Sequence, residues 1–237
     1  MTEGTVELKI GTRLVLGVDT CGPSGSAALM RLSDAGLELL GQIELAGRSY
    51  SATLVTAVGE LLLRAQSNLR EVGAIVVTSG PGSFTGVRVG LSAVKGLAEP
   101  GGIPVVAVSR LAVLARKAGV DAAALDAHRH EVFARLAGEG TKIREVLAGR
   151  ADLEALAPAP ARVAVCDDAA AELLKSAWPG AELVRVEAPG ASDAIELAVP
   201  KIRGEEFDDL ALLDGHYLRR SDAEIFGEPA REMARRA

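Results

Sequence analysis

Residues 75–97 read IVVTSGPGSFTGVRVGLSAVKGL, and the order of residue types in this stretch sets the fold. Residues 75–78 are a β-branched run of the kind that forms a short buried strand. Gly80-Pro81-Gly82 breaks it, because proline fixes φ and has no N–H while glycine accepts positive φ. Ser83 is placed to cap the helix that follows with its hydroxyl. A strand that delivers a glycine turn onto a helix N-terminus suits a phosphate, since free N–H groups and the helix dipole converge there. The same glycines allow a packing reading. Gly82, Gly86 and Gly90 recur every fourth residue on one face, and each costs about 1 kcal/mol against alanine unless a close backbone neighbour offsets it. The turn is no Walker loop, because Val87-Arg88 stand where Gly-Lys-Ser/Thr would be needed.

The 237-residue chain is 49% apolar but only 3% aromatic, so its core is built from Ala, Val and Leu. A net charge of −6 argues against gripping nucleic acid alone, which needs Lys and Arg against phosphates. Arg219, Arg220, Arg231, Arg235 and Arg236 gather at the end, where a solvated helix is expected. Two cysteines, Cys21 and Cys166, are too few for a disulfide framework or a thiolate metal cage. No apolar run approaches the roughly 20 residues of a membrane span, and the first residues lack a signal peptide's apolar core. A cytoplasmic chain without a membrane partner is expected.

Residues 1–12 read as an extension. Strands are expected at 14–19, 26–31 and 37–45, a helix at 51–66, a capping box at 68–71 opening a short helix, and a strand at 74–79. The sequence EPGGIP at 99–104 reads as a linker, followed by a strand at 105–108 and a helix at 110–118 between an Ser109 cap and Gly119. Two strands around a turn at 127–130 and a helix at 191–203 complete the reading. Residues 138–200 carry little specific signal, and no repeat is visible.

Asp19 ends the first strand beside Thr20. Such an acid either holds magnesium through water while turn amides hold phosphate, or simply accepts N–H bonds of its own turn. With Thr20, Gly80, Gly82 and Ser83 it forms the candidate phosphate site. Asp126, His128 and His130 would share a face on an extended strand, yet the segment reads as a turn, so no metal site is expected. No Ser/His/Asp spacing supports a hydrolase, and no catalytic residue is assigned.

The motifs LGVDT (16–20), SAAL (26–29), SGPGSFTGVRVGLSAVKGLA (79–98), IPVVAVSRL (103–111), LDAHRHEVF (125–133) and HYLRRSDAE (216–224) fall in the order of the TsaB family, which this chain resembles. The resemblance is strong over 13–135, thin over 136–200 and good again near 216–226. It implies an α/β, actin-like and ribonuclease H-like fold of two lobes, each a mixed sheet with flanking helices. Implied boundaries are an N-terminal lobe at 13–103, a C-terminal lobe at 104–210, and a segment at 211–237 packing back on the N-terminal lobe. The implied function is noncatalytic: binding and activating the paralogous catalytic subunit TsaD, with TsaE, in forming N6-threonylcarbamoyladenosine beside the tRNA anticodon. In TsaD an HxxxH pair holds the catalytic metal; here those positions are Arg110 and Leu114. ATP and magnesium are then expected through TsaE, the metal in TsaD, and tRNA only through the complex, with a homodimer when the chain is alone. The implied partner face lies on helices 51–66 and 84–98, with Leu54, Val58, Leu61, Leu62, Gly86, Val87, Gly90, Leu91 and Val94. Leu61→Arg or Gly86→Leu is expected to abolish partner binding. Departures from the family occur at Tyr50, Cys166-Asp167-Asp168, His128, His130 and Gly215-His216. The alternatives are a stand-alone ATP-dependent phosphotransferase of the same superfold and an M22-type peptidase.

Overall fold

The computed structural model describes residues 12–46, 49–137, 143–156 and 158–219. Expectations about the extension before residue 12 and about the arginines from 220 onward lie outside the described residues. The first half runs β1 (Arg13–Asp19), β2 (Ser24–Ser33), β3 (Gly36–Ala46), α1 (Tyr50–Arg64), β4 (Val72–Thr78), α2 (Phe84–Ala98), β5 (Val105–Val108) and α3 (Arg110–Ala118). The second runs β6 (Ala122–Asp126), β7 (Glu131–Ala137), β8 (Ile143–Gly149), α4 (Arg150–Ala155), β9 (Arg162–Val165), α5 (Asp168–Ala177), β10 (Glu182–Arg185) and α6 (Ala191–Arg203).

The two halves repeat one plan. The first sheet has the order β3-β2-β1-β4-β5 and the second, read from its other end, β8-β7-β6-β9-β10. In each, three strands meander antiparallel and two more add in parallel to the first. The repeat lies in topology alone, which is why no sequence period betrays it.

Each sheet needs a layer on both faces to bury its apolar side chains. On the first sheet α1 and α2 cover the face of Leu16, Val18, Ile75 and Val77. The other face, with Val15, Ala28, Val76 and Val106, is covered by Ala191, Ile195, Ala198 and Ile202 of α6, which belongs by sequence to the second half. Reciprocally, Leu111 and Leu114 of α3 pack on Leu125, Phe133 and Ala164 of the second sheet, whose opposite face carries α4 and α5. The halves have exchanged their last helices. Lys117 of α3 and Asp193 of α6 pair at 2.9 Å where those helices meet.

This exchange corrects the boundary expected at 103/104. β5 pairs with β4 in register Ile75 to Val105 through Thr78 to Val108, so the first sheet ends at 108. The EPGGIP stretch is a 3-10 turn and crossover within the first half, with Gly102 at φ 60 closing it. The C-terminal segment touches both halves, not the first alone: Leu213 joins the first core and Leu218 packs on the second. Among the described residues no helix is long and apolar enough to cross a membrane.

Candidate functional site: a cleft filled from within

β1 delivers Asp19 to the junction of the two halves, and the turn after it lies directly on the glycine face of α2. A Cβ on Gly86 would sit 2.0 Å from the Thr20 carbonyl oxygen, and one on Gly82 would sit 2.2 Å from that of Cys21. At Gly90 it would meet Thr20 Oγ1 at 2.3 Å. Gly82 and Gly86 are therefore required by backbone approach and Gly90 by the Thr20 side chain, and the helix cost of Gly86 and Gly90 is offset by this contact.

Polar groups across the contact satisfy one another. Thr20 Oγ1 donates to the Gly86 carbonyl (2.7 Å), and Ser83 N donates to the Cys21 carbonyl (2.8 Å). Ser83 Oγ accepts from Gly86 N at 3.2 Å, the expected cap. Asp19 Oδ1 accepts from Cys21 N at 2.8 Å, the turn bond foreseen for this acid. The five candidate phosphate residues are thus brought together, with Gly80 at φ 112 accepting from Arg110 N at 2.7 Å. Asp19 Oδ1, Thr20 Oγ1, Ser83 Oγ, Ser83 N and the Gly80 carbonyl are engaged by the chain itself.

Arg110 completes the filling. It opens α3, is 5% exposed, and its Nε lies 3.4 Å from Asp19 Oδ2. Its guanidinium also covers Gly22, where a Cβ would come within 2.4 Å of Nη2. Burial opposes its charge, but Asp19 holds the guanidinium pKa above its ordinary value. Burial and the Asp19 charge push the Cys21 thiol well up, so it stays a neutral donor to the Thr78 carbonyl (3.2 Å). The same two causes push Tyr50, whose hydroxyl donates to the Gly22 carbonyl at 2.8 Å, up to about 12. Burial likewise raises Cys166. Neither thiol is poised as a nucleophile.

A second polar cluster lies beside the first and had no signal in the sequence. Glu145 on β8 accepts from Ser109 Oγ (2.7 and 2.8 Å) and Arg135 Nη1 (2.8 Å), and pairs with His216 Nε2 (2.8 Å). Burial pushes its carboxyl up, but the bonds to His216, Ser109 and Arg135 together bring it below the ordinary carboxylate value. Serine, glutamate and histidine are the residue types of a hydrolytic triad. The order is wrong, because Ser109 donates to the carboxylate rather than to the imidazole that would activate it.

His128 and His130 flank Arg129 in an exposed turn where all three take left-handed φ near 60. The strand ends at Asp126, whose carboxylate accepts from His128 N (2.8 Å) and pairs with its Nδ1 (2.9 Å). The shared strand face needed for a three-residue metal site is not formed.

The nine expected partner residues are all turned inward. Leu54, Val58, Leu61, Leu62, Val87, Leu91 and Val94 belong to the first core, and Gly86 and Gly90 hold the β1–β2 turn. The strongest apolar stripe of each helix is the one its own sheet claims. Leu61→Arg and Gly86→Leu would therefore strike the fold, not a docking face. The outward ridge of α1 is Val55 and Leu63, 57% and 77% exposed, with Gly59 open between them. On α2, Ser92 and Gly96 are exposed.

A family model described as TsaD: tRNA N6-adenosine threonylcarbamoyltransferase matches residues 42–165, just over half of the chain. The chain belongs to the TsaD/TsaB family. Its similarity to TsaB proteins is direct. The tRNA threonylcarbamoyladenosine biosynthesis protein TsaB of Haemophilus influenzae is 36% identical over 96 residues, 38% of this chain and 41% of that protein. That of Escherichia coli is 33% identical over 125 residues, 50% of this chain and 52% of that protein. The chain thus spans about half the length, or less, of these curated relatives. YeaZ from Pseudomonas aeruginosa superposes with a TM-score of 0.69 at 26% identity, over 87% of this chain and 100% of that one. A Pseudomonas aeruginosa structure titled as similar to peptidase YEAZ gives 0.71 at 28%, with the same coverage. The TsaD/TsaB fold here is the two-lobed actin-like and ribonuclease H-like architecture, with the filled cleft between its halves.

Proposed function

We propose that this chain is a noncatalytic subunit that binds and activates a TsaD catalytic subunit, with TsaE, in forming N6-threonylcarbamoyladenosine on tRNA in the cytoplasm. The observation that carries the reading is Arg110. It stands at the position where the family resemblance puts a TsaD metal ligand, and its guanidinium is committed to Asp19 inside the cleft. A fold whose cleft is filled by its own side chains contributes surface rather than chemistry. The α1 ridge supports this as a row of two exposed apolar side chains, Val55 and Leu63, on one helical face with Gly59 between them. Small residues on both helices allow another helix to approach closely.

The test mixes the purified chain with TsaD from the same organism, follows co-elution by size exclusion, and assays tRNA threonylcarbamoylation with TsaE and threonylcarbamoyl-adenylate supplied. Activity is expected only with both chains, and Val55→Asp with Leu63→Asp is expected to abolish co-elution while the protein stays folded. Threonylcarbamoyl transfer by this chain alone would overturn the reading. Tight ATP binding by calorimetry would return the phosphotransferase alternative.

A further inference from the structure

Residues 213–219 run from one half of the molecule to the other and are anchored on both. On the first half, Leu213 is buried in the core and His216 N donates to the Ser79 carbonyl at 2.7 Å, at the end of β4. Tyr217 lies on Phe84 at the start of α2 with ring centroids 4.9 Å apart, and the Arg88 guanidinium sits 3.9 Å over Phe84 and 6.0 Å from Tyr217. On the second half, the His216 ring bonds to Glu145 of β8, Leu218 packs on the core, and Arg219 pairs with Glu131 of β7.

These anchors converge on one place in the covalent chain. Ser109 joins β5 to α3, where the chain leaves the first sheet for the second, and its hydroxyl donates to the same Glu145 that holds His216. The next residue, Arg110, gives its N–H to Gly80, the neighbour of the Ser79 that holds His216. The chain passes between the halves at this junction and again between β10 and α6, so a change in the angle between the halves bends the chain at both places. We propose that residues 213–219 are a strap that fixes the angle between the two halves by immobilising the Ser109 junction and the turn at 79–83. This goes beyond the partner-subunit reading and does not depend on it.

The experiment is hydrogen–deuterium exchange on the purified full chain alone, comparing wild type with a His216→Ala/Tyr217→Ala double variant. Losing the His216 ring bond to Glu145 and the Tyr217 contact with Phe84 is expected to speed exchange roughly tenfold at 79–86 and 108–112, with the central strands β1 and β4 unchanged. Glu145→Gln is expected to give the same pattern at smaller amplitude. Unchanged exchange at 79–86 and 108–112 in the double variant overturns the proposal. A rise spread evenly over all elements also overturns it, because the segment is then ordinary core rather than a clamp.

Discussion

The two halves share one topology but solve the same packing problem differently. In both, the strand that starts the sheet ends in an aspartate, a hairpin turn follows, and a helix after the fourth strand faces that turn. In the first half, α2 meets the turn backbone to backbone, with Gly82, Gly86 and Gly90 admitting Thr20 and Cys21. In the second, α5 stands off and a side chain spans the gap. Asp167 caps α5 by accepting from Ala170 N at 2.7 Å, and its other oxygen accepts from Asp126 N at 3.1 Å. The first turn is buried under Arg110; the second, with His128 and His130, is solvated. A duplicated frame can thus keep one close contact under strict demand while its twin tolerates ordinary residues.

Substitutions on the two sides of that contrast test it, starting where the expected effect is greatest. Gly86→Leu should cost about 4 kcal/mol or more in urea unfolding, because the obstacle is Thr20 backbone and cannot swing aside. A comparable loss from Ala169→Leu on the exposed start of α5 would erase the distinction. Arg110→Ala should cost about 3 kcal/mol by leaving the Asp19 carboxylate buried without its partner, and adding Asp19→Asn should restore part of it. If the second change restores nothing, the pair is not coupled and the filled cleft needs another account. Glu145→Gln should cost about 2 kcal/mol near neutrality. Its folded-state carboxyl lies below the ordinary 4.5, so the advantage of wild type is complete above that value and fades as pH falls through the depressed one. An advantage that grew on acidification would reverse the assignment. Asp167→Ala should cost about 1 kcal/mol, as for a helix cap, and should speed exchange at Asp126. Smallest of all, His130→Gly should be neutral to slightly stabilising, whereas His130→Val should cost about 1 kcal/mol at its left-handed φ.

The halves also differ in how far their sequences could be read. α2, β5, α3 and α6 lie where the pattern of caps and apolar residues places them, with Ser83, Ser109 and Gly119 marking ends by their own chemistry. Between residues 138 and 190 the strands are as short as RVAV and ELVR, four residues each, so periodicity has nothing to accumulate over. At the site, Asp19 and the glycine turn were legible as an assembly, but whether it held a ligand or itself was not. That answer lies with Arg110, which at the start of an amphipathic helix reads as a solvated charge until a buried carboxylate 91 positions away in sequence claims it. The stripe on α1 was legible as apolar, yet only the sheet beneath it decides which residues remain for a partner.

The exchange of α3 and α6 has a consequence for how the chain is made. As it emerges from the ribosome, the first sheet has all five strands once residue 108 is out, yet one of its faces stays bare. The helix that covers that face is the last of the described helices to be synthesised, ending at Arg203. Proteins whose domains close one after another during synthesis can finish the first before the second begins. Here the first half cannot finish before the second, and a nascent chain halted anywhere between residues 119 and 190 carries an uncovered apolar sheet into the cell.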